Sequence, residues 1–155
     1  MEPPFLRSQA DFILQLTNSV TVAPRGWAEL IGKKFPHARV HRHRRALPGT
    51  DLAIESDRAV PGTIVICNSK IGPGVITLFD QFLPDEHQTE TERDRMDWLI
   101  SGLEQIGSHF KEGFRVGHSP TRVTLAVPPI YEAVQRSILE TFQERYRGII
   151  EVWLY

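Results

Sequence analysis

The densest run of reactive side chains is His37-Ala38-Arg39-Val40-His41-Arg42-His43-Arg44-Arg45, in which four arginines alternate with three histidines and no carboxylate. An extended backbone would put Arg39, His41, His43 and Arg45 on one face and Val40, Arg42 and Arg44 on the other. His41 and His43 are of a metal-ligating type at a spacing of two. The surrounding guanidinium charge opposes a cation, however, so no metal is expected. Such a run favours phosphate, with Arg42, Arg44 and Arg45 meeting RNA or an acidic protein. A solvated basic edge strand that discourages edge-to-edge pairing is the plainer account.

A second candidate is the junction that follows the apolar run Phe12-Ile13-Leu14-Gln15-Leu16. There Thr17-Asn18-Ser19 opens a loop, and Pro24-Arg25-Gly26 leads into a helix at Trp27. A strand carboxyl end feeding a helix N-terminus is where open α/β sheets place anionic ligands. Free backbone N–H groups and the helix dipole both favour the anion, and Gly26 would let a phosphate approach the backbone closely. A plain connection has the same spacing. Cys67 closes a β-branched run and reads as a buried structural thiol rather than a nucleophile. Asp85, Glu86, Glu90, Glu92, Asp94 and Asp97 crowd a helix start among Arg93 and Arg95, where capping and solvation explain them better than paired acid/base work. Gly72-Pro73-Gly74 is followed by Thr77 instead of a third glycine and runs into a strand, so it is no dinucleotide fingerprint. Neither GxSxG nor a Walker A sequence occurs.

The elements that must position these groups are legible as periodicities. With 155 residues, 41% hydrophobic and 24% charged, the chain has the make-up of one globular domain, 1–155. A net charge of −1 argues against a surface built wholly for nucleic acid. One cysteine excludes a disulfide framework, and no apolar run approaches the ~18–20 residues of a membrane span. With no signal peptide evident, a cytoplasmic, intracellular protein is expected.

After the first strand, Trp27, Leu30 and Ile31 mark a helix that Phe35-Pro36 stops. Thr63-Ile64-Val65-Ile66-Cys67 and Val75-Ile76-Thr77-Leu78-Phe79 form a hairpin across Gly72-Pro73-Gly74. Thr89 with Glu92 fits a capping box, opening a helix striped by Met96, Leu99, Ile100, Leu103 and Ile106 and ended by Gly107. A strand at 122–127, a helix carrying Tyr131, Val134, Ile138, Leu139, Phe142 and Tyr146, and a last strand at 149–154 complete the order. The stretch 46–61 has no clear period. Strands alternating with helices, plus one hairpin, predict an α/β fold with a mixed sheet covered on both faces.

Asn18 after a buried strand, then Arg25-Gly26-Trp27-Ala28-Glu29-Leu30-Ile31 and Lys34-Phe35-Pro36-His37-Ala38, resembles the opening of macro-domain-like proteins. The likeness is to a divergent branch with a "TNC…PHGL…I…FP.A.VY..R" pattern. It continues through Asp57-Arg58-Ala59-Val60-Pro61-Gly62-Thr63-Ile64, through Val75-Ile76-Thr77-Leu78-Phe79-Asp80-Gln81-Phe82, and through the helix with Arg93 and Trp98, covering about two thirds of the chain. The resemblance implies a three-layer α/β/α fold and a site for ADP-ribose or an ADP-ribosylated protein. In it Asn18 faces the distal ribose, the loop ending at Arg25 and Gly26 wraps the diphosphate, and the strand carrying Gln81 runs toward the same crevice. It also implies, at most, a weak ADP-ribosyl hydrolase activity, no further cofactor, and a viral or host-defence setting. Three positions depart from the pattern. Ser19 replaces Cys, Asp80 replaces Gly, and Pro128-Pro129-Ile130-Tyr131 stands where a second glycine-rich phosphate loop belongs. These departures favour the alternative of a macro-like scaffold without a nucleotide site, acting as an interaction module through 39–45.

Overall fold

The computed structural model describes residues 2–7, 9–84, 89–125 and 133–154. β-branched and apolar runs form five strands: β1 (Phe12–Asn18), β2 (Ile64–Cys67), β3 (Gly74–Gln81), β4 (Thr121–Leu125) and β5 (Ile150–Leu154). Amphipathic segments form α1 (Trp27–Lys34), α2 (Glu92–Gly113) and α3 (Ala133–Arg145). The sheet order is β2-β3-β1-β4-β5. β1 lies parallel to β3 and β4, β4 lies parallel to β5, and β2 returns antiparallel on β3 as the expected hairpin.

Alternation along the strands divides the apolar side chains between two faces. Ile13 of β1 and Val75 of β3 point one way, to Ile31 of α1, to Phe35, and to Phe5 and Leu6 of an N-terminal 3-10 turn. Leu14, Ile76 and Leu78 point the other way, to Leu99, Leu103 and Ile106 of α2 and Leu139 and Phe142 of α3. The result is a three-layer α/β/α arrangement with a mixed sheet.

Several local expectations are corrected. Gly107 does not end α2, which runs to Gly113. A Cβ at Gly107 would sit 2.1 Å from the ring of Tyr146, so the glycine is there to let this aromatic, the residue after α3, close against α2. The capping box is Thr91 with Asp94, not Thr89 with Glu92. The Thr91 hydroxyl accepts from the Asp94 N–H at 3.1 Å, and Asp94 accepts from the Thr91 N–H at 3.0 Å. In α1 the sheet-facing side is Ala28, Ile31 and Gly32, whereas Trp27 is 40% exposed, its ring edge-on to Phe5. The 39–45 segment is not a strand. It follows a 3-10 turn at Pro36–Ala38 and folds into a further turn closed by the Arg44 N–H on the His41 carbonyl at 3.0 Å.

Candidate functional site

The parallel pair β1 and β3 delivers its carboxyl ends side by side. Thr17 pairs with Phe79 but Asn18 pairs with Gln81, so Asp80 is the extra residue of a bulge, and it is buried. The bulge brings Gln81 beside Asn18. It is the Gln81 carbonyl that does the joining, accepting from the Ser19 N–H at 2.9 Å and from the Ser19 hydroxyl at 2.8 Å. The hydroxyl thus gives Ser19 a role of its own where the resembling branch carries Cys.

Asn18 is buried at 8% exposure, and its side chain shapes the loop. Oδ1 accepts from the N–H groups of Val20 at 3.1 Å and Thr21 at 2.8 Å, an Asx turn that reverses the chain at the strand end. Nδ2 makes no hydrogen bond among the described residues. Eight residues on, Gly26 caps α1 with φ +56 and ψ −128, and no atom lies within 4 Å of where its Cβ would be. An L side chain is strained in that backbone state. No side chain caps the N-terminus of α1, so Gly26 leaves it bare toward the loop.

The rest of the loop is held by residues that carry no periodic signal. Arg44, 7% exposed, donates to the carbonyls of Thr21 at 2.8 Å and Asn18 at 3.5 Å, and its guanidinium lies 5.6 Å from the Phe79 ring centroid. Asp51 takes the N–H of Val22 on its carbonyl at 2.8 Å, the N–H of Ala23 on its carboxylate at 3.2 Å, and the Arg25 guanidinium at 2.8 Å. Ala53 and Ala59 donate their N–H groups to Val20 and Ser19. The stretch 46–61, aperiodic in sequence, is therefore the splint of the 18–26 loop.

This overturns the expected basic edge. Arg44 points inward as a brace rather than outward on an exposed edge. Burial pulls its guanidinium down to about 10, still charged at neutral pH. Arg45 is exposed but clasped by Asp57, through its own N–H at 2.7 Å and two guanidinium contacts at 2.9 and 3.1 Å. Those hydrogen bonds hold the Asp57 carboxyl down to about 2. Arg42 alone of the three remains an outward cation, with its Nε 3.1 Å from the His43 ring. Arg25 is likewise tied to Asp51 at the helix-entry end of the loop.

His41, expected to share one face of an extended segment with Arg39, His43 and Arg45, is 5% exposed. Burial, then the nearby Arg44 charge, lowers its pKa to about 4 against a smaller opposing pull from Asp51, so the imidazole is neutral at pH 7. Among the described residues its Nε2 is buried without a partner, and so is Oε1 of Gln15 on β1, whose Nε2 donates to the Thr77 hydroxyl at 2.7 Å. Both residues line a cleft of about 260 Å³ between α1 and the 38–42 turn. Asn18, Gly26 and Gln81 do not line it. Sequence reasoning missed this pair because Gln15 lay inside an apolar run and His41 inside a charged one.

The remaining candidates are placed as follows. Cys67 is half-buried on β2, and burial pushes its thiol pKa up, the reverse of an activated nucleophile. Glu90 is not merely solvated: its carboxylate accepts from the N–H groups of Phe82 and Leu83 at 3.1 and 3.3 Å and meets Arg95 at 3.4 Å, closing the chain as it leaves β3. Asp85 and Glu86, and the Pro128-Pro129 segment expected in place of a second phosphate loop, lie outside the described residues. Among the described residues, no helix is long and apolar enough to cross a membrane.

No family model matches the sequence, and no curated protein matches it. The architecture does have a counterpart among solved structures. The macrodomain of Mycobacterium tuberculosis DarG superposes with a TM-score of 0.66, covering 100% of this chain and 94% of that one at 13% identity. At that identity the likeness speaks for architecture and leaves chemistry to the site. The chain thus has a macrodomain-like three-layer α/β/α fold.

Proposed function

We propose that this chain binds ADP-ribose or an ADP-ribosylated protein at the carboxyl ends of β1 and β3. The observation that carries the reading is the 18–26 loop. It leaves a central parallel strand, is pre-shaped by Asn18, Arg44 and Asp51, and ends at an open glycine before an uncapped helix N-terminus. A diphosphate would lie against the backbone near Gly26, where free N–H groups and the helix dipole favour it. The distal ribose would accept a hydrogen bond from Asn18 Nδ2, with Gln81 beside it. Arg25, fixed by Asp51, supplies charge at the phosphate end. An amide can orient a hydroxyl but neither gives nor takes a proton, so Asn18 supports binding and positioning more directly than hydrolysis.

The test is calorimetry with ADP-ribose on the wild type and on Asn18→Asp. Aspartate keeps an acceptor for the Val20 and Thr21 N–H groups, preserving the turn, while replacing the ligand-facing donor with a charged oxygen. The variant should bind at least about tenfold more weakly, the scale of one donor lost and one repulsion gained. No heat from the wild type at millimolar ADP-ribose, or equal affinity in the variant, would refute the reading.

A further inference from the structure

We propose that the end of the sheet remote from Asn18 is a docking face for an anionic lipid surface, with Ile71 and Val116 entering the interface and Lys70, Lys111 and Arg115 meeting the headgroups. Two turns build it. In the first, Ile71 stands just before Gly72, whose φ is +79. The Ser69 hydroxyl fixes its backbone, accepting from the Ile71 N–H at 3.2 Å and donating to the Ile71 carbonyl at 2.6 Å. In the second, the His118 N–H donates to the Arg115 carbonyl at 3.1 Å, and Gly117, with φ +90, takes the third position. A turn with positive φ there leaves Val116 at its outer corner. Ile71 is 90% and Val116 99% exposed, and no other large apolar residue among the described ones exceeds 66%.

Strand register brings the two turns together. Gly74 of β3 pairs with Phe12 of β1, which pairs in turn with Val123 of β4. At ~4.8 Å per strand spacing, the 68–73 and 114–120 connections leave the same end of the sheet about 10 Å apart. The Phe12 ring touches both sides: a Cβ at Gly74 would lie 2.6 Å from it, and the Phe110 ring near the end of α2 meets it edge-on at 5.2 Å. Lys70 precedes Ile71 and Arg115 precedes Val116, so each aliphatic corner has a cation beside it. Lys70, Lys111 and Arg115 are exposed and, among the described residues, have no ion-pair partner. The carboxylates at this end are turned elsewhere. Asp11 accepts from the Arg122 N–H at 2.8 Å and meets its guanidinium at 3.5 Å. Glu112 lies on the α2 face of Ser101, Glu104 and Ser108, and Glu144 and Glu151 sit toward β5.

A single exposed aliphatic needs no explanation, whereas two on neighbouring turns, each beside an unpaired cation, form a patch. Its chemistry selects among anionic partners. Single-stranded nucleic acid is gripped by stacking bases on aromatic rings, which neither corner carries. A folded acidic protein would need two pits to receive the convex corners, but a bilayer interface deforms around them. There the aliphatics leave water and the cations are drawn to the negative surface potential. The seven residues of β1 set Asn18 roughly 20 Å from this end, so docking leaves the strand-end loop facing away from the lipid. The inference does not rest on the ADP-ribose reading.

The test is cosedimentation of the full chain with vesicles of phosphatidylcholine alone and with vesicles one third phosphatidylserine, at low and at physiological salt. The chain should sediment with the anionic vesicles, less so as salt rises, and not with the neutral ones. Ile71→Asn combined with Val116→Asn should weaken binding by about tenfold or more. Lys70→Gln and Arg115→Gln should each weaken it about fivefold. These positions are exposed, so the melting curves of all the variants should match that of the wild type. The proposal is overturned if the chain stays in the supernatant with anionic vesicles at low salt, or sediments equally with neutral ones. It is also overturned if the paired asparagine variant binds as the wild type does. A gel shift with polyuridylate that persists in that variant, without vesicle binding, would assign the cations to nucleic acid instead.

Discussion

Replacing Arg44 by methionine separates a structural brace from a partner-binding cation. Methionine keeps the unbranched, packed stem and deletes the charged donor. What is lost is the 2.8 Å bond to the Thr21 carbonyl, a weaker contact to Asn18 at 3.5 Å, and the cation–π contact with Phe79 at 5.6 Å. A hydrogen bond from a charged donor is worth ~1.5–3 kcal/mol net, a figure that already includes the cost of taking the guanidinium out of water. The ring contact adds about 0.5–1 kcal/mol. The expected loss is therefore about 2–4 kcal/mol, which at this size lowers Tm by roughly 4–16 °C. Urea unfolding of Arg44→Met beside Arg42→Met is the assay. The exposed Arg42 should change stability by less than about 0.5 kcal/mol. Because Arg44 holds the two loop carbonyls, Arg44→Met should also loosen exchange protection of the Val20 and Thr21 amides, the donors of the Asn18 turn. Equal stabilities for the two variants would refute the brace and return Arg44 to the surface role its sequence neighbourhood implies.

Two further outcomes follow from buried groups. His41 has a folded pKa of about 4 against 6.5 unfolded, so its contribution to stability is complete above pH 6.5 and is lost as pH falls toward 4. The difference corresponds to about 3 kcal/mol. His41→Gln should flatten the stability profile measured by urea between those two pH values, and a profile that keeps its slope would exclude His41 as the cause. Asp57, held at about 2 by Arg45, surrenders its contribution only below the ordinary carboxylate range, so the two windows do not overlap. Gly107→Ala places a methyl 2.1 Å from the Tyr146 ring and should cost about 1–3 kcal/mol by overpacking. Adding Tyr146→Leu should recover part of that loss. If Gly107→Ala instead stabilises the helix, as alanine does in an exposed helix interior, α2 and α3 do not meet as closely as described.

The strands and helices were legible because each is a local pattern. The apolar run of β1 is buried, Leu99, Leu103 and Ile106 of the expected α2 stripe are buried while its Ile100 is 40% exposed, and Ile64 and Ile66 of β2 are half-buried against the core. Glycine and arginine were harder to read, because each has more than one physical cause in a chain. Gly107 reads as a helix end but is a point of helix contact, since its reason is Tyr146, nearly forty positions away in sequence. The 39–45 run reads as a charged strand because alternation is scored without knowing the backbone. The turn instead buries His41 and Arg44 together, and Arg44's partners lie 23 and 26 residues upstream.

By its own order of residues, the chain determines a mixed α/β sheet covered on both faces, a β2–β3 hairpin, and a loop after Asn18 leading to a glycine and a helix. These depend on neighbours within a few positions, where period, turn chemistry and capping act. Only the tertiary structure decided how that loop is held. Asp51 reaches it from a stretch with no period at all, Arg44 from a run whose alternation pointed to a strand, and the β3 bulge brings Gln81 beside Asn18. Only the tertiary structure, too, buried the side chains of Gln15 and His41 beside one cleft. Hydrogen bonds and desolvation depend on distance in space, and the chain's covalent order leaves that distance open until the layers have closed.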